Sequence, residues 1–149
     1  MRMNKQILVT DWIKKKPRLG SFLKLTLSSD ERRIIRGKKI TDCEQEIILQ
    51  LPRKGKLNDG DILSTNKSNF YVEIIAKSEN LIEIKSNSKI ELIKTAYHLG
   101  NRHVELEIEE DILLTKSDYI IENMLKNFNV DIVNTQKKFF PERGAHSHE

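Results

Sequence analysis

Four histidines, His98, His103, His146 and His148, carry most of the chemistry this chain could do. A neutral imidazole offers Ni, Cu or Zn a nitrogen lone pair at neutral pH, and none precedes His98. Their concentration in Tyr97-His98-Leu99-Gly100-Asn101-Arg102-His103 and in the closing Gly144-Ala145-His146-Ser147-His148-Glu149 points to metal handling. His98 and His103, five residues apart, would lie about 140° from each other on a continuous helix, too far round to chelate one ion as an i, i+4 pair does. One chain therefore offers isolated imidazoles. A two-fold axis bringing His103 of two chains together would double the donor count without a new residue. His146 and His148, on a short polar end, could swing toward such a site.

Each of these residues also has a plainer use. His98 follows Tyr97 inside a helix and reads as a packing group or a support for a ligand more readily than as a ligand itself. Spacing alone leaves His103 an ordinary loop histidine, and His146 and His148 a solvated terminus. Arg102, always protonated, repels cations and reads as a surface or interface charge. Glu107, Glu109, Glu110 and Asp111 read as a solvated acidic edge. Asp59 and Asp61 flank Gly60 in a turn, a structural use of Asp. The sequence has no His-Glu-x-x-His, no glycine-rich phosphate loop and no nucleophile elbow, so a non-catalytic role is expected.

The elements that must position these residues follow from periodicity. Leu23, Leu25 and Leu27 alternate, as do Ile47, Leu49 and Leu51, and Phe70 to Ala76 forms another short apolar run bounded by turn residues. Residues 1–77 therefore read as a small all-β module. From residue 78 onward the rhythm changes. Leu81 to Lys85 is a strand. Ser86 or Ser88 caps a helix bearing Ile90, Ile93, Lys94, Tyr97 and His98, which Gly100 is placed to end. Strands follow at Val104 to Ile108 and Asp111 to Thr115. A second helix, capped by Ser117, carries Ile120, Ile121, Met124, Leu125 and Phe128. A last strand runs from Val130 to Val133. The order β-α-β-β-α-β is that of a ferredoxin-like domain over 78–149, ending in a flexible histidine-containing tail from about residue 140. The fold class is thus α+β.

Composition narrows the partners and the compartment. The chain has 149 residues, 32% charged and 38% hydrophobic, with 26 Lys and Arg against 22 Asp and Glu for a net +4. The one basic cluster, Lys14-Lys15-Lys16-Pro17-Arg18, reads as a solvated loop or a contact for an acidic protein. Cys43 is the only cysteine, which excludes an intrachain disulfide and fits a reducing cytoplasm. No apolar run approaches the ~20 residues that cross a bilayer, so no membrane role is expected. RNA-recognition domains share the β-α-β-β-α-β order but stack bases on aromatics. Leu81 to Lys85 and Asp111 to Thr115 contain none, which argues against nucleic acid.

Tyr97-His98-Leu99-Gly100-Asn101-Arg102-His103-Val104 closely resembles the signature of the UreE family of urease accessory metallochaperones. The likeness extends to Leu51-Pro52-Arg53, to Leu57-Asn58-Asp59-Gly60-Asp61-Ile62-Leu63, to Met124-Leu125 and to Pro141 through His148. The resemblance implies an N-terminal module for peptide or partner contact and a ferredoxin-like metal-binding domain. It implies a homodimer, with assembly into a tetramer left open, whose paired His103 residues hold Ni(II), with His146 and His148 completing the site and His98 auxiliary. Zn(II) or Cu(II) would bind the same donors in vitro. The implied role is delivery of nickel to apo-urease with the accessory GTPase UreG and the urease–accessory protein complex. Ser117-Asp118-Tyr119 stands where some members carry an additional His-x-His pair, so that peripheral site is not expected. About one ion per dimer is, since a stable site wants several N or O donors. The other reading of the same residues is a ferredoxin-like interaction module, for protein or RNA, with incidental metal affinity.

Overall fold

In the computed structural model, which describes residues 6–53 and 55–142, the chain falls into two compact units divided between Lys77 and Ser78. Two sheets and two helices make it a mixed α+β protein.

The first unit holds six strands: β1 (Ile7–Ile13), β2 (Ser21–Leu27), β3 (Arg36–Ile40), β4 (Glu46–Gln50), β5 (Ile62–Thr65) and β6 (Phe70–Ala76). They form one sheet in the order β2-β6-β5-β1-β4-β3, with β1–β4 and β2–β6 parallel and the other pairs antiparallel. Period-two alternation drives this burial, because one face of each strand must leave water. Leu25 and Leu27, Ile47 and Leu49, and Val72 and Ile74 join Ile7, Val9, Leu51, Leu57 and Leu63 in a single core. The Asn58–Asp61 turn is structural, as its composition implies. The Asp61 carboxylate accepts the Asn58 N–H at 2.8 Å and the Trp12 Nε1–H at 3.1 Å, and the Asp59 carboxylate accepts the Ala76 N–H at 2.7 Å. A short 3-10 turn, Glu31–Arg33, precedes β3. Ser28 and Glu31 bond reciprocally at its start: the Ser28 N–H donates to the Glu31 carboxylate and the Glu31 N–H to Ser28 Oγ, a capping box.

The second unit runs β7 (Ser78–Lys85), α1 (Lys89–Asn101), β8 (Glu107–Ile108), β9 (Leu113–Lys116), α2 (Tyr119–Leu125) and β10 (Asp131–Lys138). Its sheet, ordered β10-β7-β9-β8, is antiparallel throughout. On one face Ile82, Ile84 and Leu113 pack with Leu99 of α1 and Leu125 of α2. On the other, Leu81 and Leu114 enclose Phe139.

Several local expectations shift. The first helix is capped by Ser88, whose Oγ accepts the Glu91 N–H, but it continues through Gly100. Its buried face is Thr95 and Leu99 with Leu92 and Ala96, not the stripe read from sequence: Ile90, Ile93 and Tyr97 are 56%, 63% and 65% exposed. Thr95 tolerates the core because its hydroxyl donates to the Glu91 carbonyl one turn back. The cap of α2 is Asp118, not Ser117; its carboxylate accepts the N–H groups of Ile120 and Ile121. The docked chain also extends past its expected end near residue 140. Phe139 is fully buried, the Phe140 N–H donates to the Glu107 carboxylate at 2.8 Å, and the Glu142 N–H donates to the Leu106 carbonyl at 2.6 Å.

Candidate metal centre

Helix α1 ends in a geometry that places His103 on the surface. With Arg102 as the C-cap, the His103 N–H bonds to the Gly100 carbonyl at 3.0 Å and the Val104 N–H reaches back to the Leu99 carbonyl at 3.0 Å. These paired bonds form a Schellman motif, and Val104 and Leu99 both belong to the core beneath it, as the motif's hydrophobic contact requires. The motif needs a left-handed residue just past the C-cap, and here that residue is His103, at φ 59°. Glycine fills this position most often because it has no Cβ to clash. Gly100, which sequence reading places at the helix end, lies instead in the last helical turn, and the turning residue is the histidine.

His103 is exposed, so its imidazole is open to solvent and to ligands. His98, also exposed, sits one turn earlier and leans on the ring of Phe128, with centroids 5.3 Å apart and planes tilted by 42°. Tyr97 meets His98 edge-on at 5.4 Å. His98 is thus braced by aromatic contacts. Among the described residues no group of three His, Cys, Asp or Glu side chains converges where it could hold an ion. His146 and His148 lie outside the described residues.

The acidic edge after His103 divides in two. Glu109, Glu110 and Asp111 are exposed, but Glu107 is buried, contrary to a solvated role. Burial holds its carboxyl above the usual carboxylate range; the Phe140 N–H opposes that shift, while the hydrogen bond and charge of Glu109 add to it. Glu107 is therefore a structural acceptor that fixes the chain after β10. Sequence reading missed it because a lone Glu among acids carries no burial signal. The alternation Val133, Thr135, Lys137, Phe139 was the cue that β10 continues to a buried aromatic.

The described residues contain no helix long and apolar enough to cross a membrane.

The matches to known proteins agree with this end of the fold. Residues 79–149 match the family model for the UreE urease accessory protein, C-terminal domain. Over all 149 residues, and over the whole relative, the chain is 87% identical to the urease accessory protein UreE of Prochlorococcus marinus strain MIT 9301. It is 63% identical to that of Prochlorococcus marinus subsp. pastoris strain CCMP1986, covering all of this chain and 97% of the relative. Against the Parasynechococcus marenigrum WH8102 protein of the same name, identity is 42% over 125 residues, 84% of this chain and 83% of the relative. Matches of this identity span both halves of the chain, and the protein belongs to the UreE family of urease accessory proteins.

Proposed function

We propose that this protein is a cytoplasmic nickel metallochaperone, not an enzyme. It works as a homodimer in which His103 of each protomer contributes an imidazole to one interfacial Ni(II), and His146 and His148 supply further donors. The observation that carries this reading is the setting of His103. An exposed imidazole occupies a left-handed position better suited to glycine, at the end of a helix whose outer face is an uncovered apolar stripe. Non-glycine residues in this region cluster at functional sites, and of the three among the described residues, Glu44, Asn69 and His103, only His103 carries an imidazole. Ile90, Ile93 and Tyr97 recur at three- and four-residue steps, so a second copy meeting the same stripe across a two-fold axis that runs along the helices would bury them and bring the two helix ends together.

The antiparallel order β10-β7-β9-β8, with the element order β-α-β-β-α-β, supports a ferredoxin-like reading of residues 78–149 as the metal-binding domain. Residues 1–77 serve as the partner-binding module. The nickel is cargo, passed toward apo-urease through the accessory GTPase UreG and the urease–accessory protein complex. Transfer requires only ligand exchange: exposed imidazoles release metal to a better donor set, or to protons on acidification, because protonated imidazole has no lone pair to give.

The test is a calorimetric Ni(II) titration with light-scattering mass determination on wild type, His103→Ala and a chain ending at Gly144. About one ion per two chains, a tight event lost in His103→Ala and weakened by truncation, supports the proposal. Equal binding by His103→Ala, or a monomeric wild type that binds no nickel, would leave an interaction module with incidental metal affinity.

A further inference from the structure

The basic charge of the chain is gathered in one place. Between Trp12 and Ser29 there are five cations, Lys14, Lys15, Lys16, Arg18 and Lys24, and no carboxylate, which exceeds the net +4 of the whole molecule. Lys16 is occupied, 3.5 Å from the Glu73 carboxylate and 4.9 Å above the Phe22 ring. Lys14, Lys15, Arg18 and Lys24 are exposed and make no ion pair among the described residues. Beside them Leu19 is 82% exposed.

These residues border β2, an end strand of the first unit's sheet. Alternate residues of a strand turn their backbone groups to opposite edges. The Ser21 N–H bonds toward β6, to the Asn69 carbonyl at 2.7 Å. The outer edge belongs to Phe22, Lys24 and Thr26. Asp42, from the β3–β4 turn, already caps its far half: the Asp42 N–H donates to the Lys24 carbonyl at 2.8 Å, and its carboxylate accepts the Thr26 N–H at 3.0 Å and the Thr26 hydroxyl at 2.6 Å. The fold itself thus shows an aspartate seated on this edge. Among the described residues no other element bonds to the Phe22 backbone, on the half flanked by the free cations.

We propose that an acidic, extended segment of a partner protein adds to β2 along Ser21–Lys24, its main chain bonding at Phe22 and its carboxylates meeting Lys14, Lys15, Arg18 and Lys24. Strand addition supplies affinity from backbone hydrogen bonds, and charge selects the partner. Nucleic acid fits this surface less well. Base stacking needs an open ring face, and here Phe22 stacks on Tyr71 at 5.3 Å with Lys16 above it, while the Gly20 backbone lies so close to Tyr71 that a Cβ there would come within 2.7 Å of the ring. The inference rests on the reading of residues 1–77 as the partner-binding module, but the surface lies in the first unit and needs no nickel, so its failure is distinguishable from failure of the metal-site reading.

The experiment uses the full chain and a short fluorescent peptide of alternating Glu and Val, followed by anisotropy at low and moderate salt. The comparison probes are its Gln-for-Glu analogue, a single-stranded oligothymidylate of equal charge and phosphatidylserine vesicles. The substitution Lys14→Glu, Lys15→Glu, Arg18→Glu should weaken peptide binding about tenfold or more. Reversal of the exposed Lys85, Lys89 and Lys126 in the other unit should leave it within about twofold. The bound peptide should also slow amide exchange at Phe22 and Lys24. The proposal is overturned by an absence of peptide binding, by equal loss in the control reversal, by unchanged exchange at Phe22, or by tighter binding of oligonucleotide or vesicle through the same three residues.

Discussion

Replacing His103 by glycine separates what this residue does for the fold from what it does for the ion. At φ 59° the imidazole-bearing residue sits where an L side chain brings Cβ toward the following carbonyl. That costs roughly 1–2 kcal/mol, although histidine tolerates the region better than most residues. Glycine removes the clash but gives back about 0.5–1 kcal/mol through the greater freedom of the unfolded chain. The net expectation for His103→Gly is a gain of about 0.5–1 kcal/mol. For a unit of some seventy residues, that corresponds to a rise of roughly 2–8 °C in its melting temperature. His103→Ala keeps the clash and should melt near wild type. Both variants lose the imidazole and, on the proposed function, should lose the tight nickel event with it. The order of metal-free stability is therefore Gly above His and Ala, while the order of nickel affinity is His far above Gly and Ala. The assay is metal-free thermal unfolding by circular dichroism at fixed protein concentration, paired with the calorimetric titration. A glycine variant no more stable than wild type would refute the strain argument. A glycine variant that keeps wild-type nickel affinity would refute His103 as a ligand.

Three other outcomes follow from particular contacts. Ile93→Glu places a charge in the exposed stripe of α1 and should turn a light-scattering dimer into a monomer and weaken nickel binding, with the helix content of the far-ultraviolet spectrum unchanged. Burial holds the Glu107 carboxyl above its usual 4.5, so the folded state keeps a proton that the unfolded chain has lost. Its contribution is thus full below about 4.5 and declines as pH rises through the folded value, and Glu107→Gln, whose amide oxygen still accepts the Phe140 N–H, should abolish that decline in urea melts across this range. Glu31 is the opposite case. The Ser28 N–H holds its carboxyl below 4.5, so its stabilisation is present above 4.5 and lost as pH falls through the folded value. Ser28→Ala should cost on the order of 1 kcal/mol at neutral pH, read as a lower urea midpoint.

The sequence made the elements more legible than their faces. Strands with alternating Leu and Ile in β2 and β4 were plain, because burial on one side leaves a period of two in the residues themselves. β3, with Arg36, Lys38 and Lys39, gave no such signal, since an end strand paired on one side need not be apolar. The stripe on α1 misled for the reverse reason. Ile90, Ile93 and Tyr97 have the spacing of a core face, but periodicity marks an apolar face, not whether the chain's own core covers it. The true inner face uses Thr95 and Ala96, small or self-satisfied residues that a hydrophobic pattern passes over. At the site, the signature around His103 was readable as chemistry. Its left-handed backbone was not, because a Gly three residues earlier offered the more ordinary helix end.

The same few residues link the cap, the sheet and the approach of the tail. Val104 closes the helix cap through its N–H on the Leu99 carbonyl, the Leu106 carbonyl accepts the Glu142 N–H, and the Glu107 carboxylate accepts the Phe140 N–H. Leu106 lies three residues from His103, a span of at most about 10 Å, so the backbone bond at Glu142 roots the C-terminal segment within a short distance of the imidazole. From that root His146 is four residues away and His148 six, contour lengths of at most about 14 and 22 Å. On the proposed function, donors joined to Glu142 by so few residues would be held at high local concentration around His103. Lengthening the segment between Glu142 and His146 with glycine and serine should therefore weaken nickel binding gradually, whereas His103→Ala should abolish the tight event at every tail length. A tail that acted independently of His103 would show neither the gradual dependence on length nor the dependence on that residue.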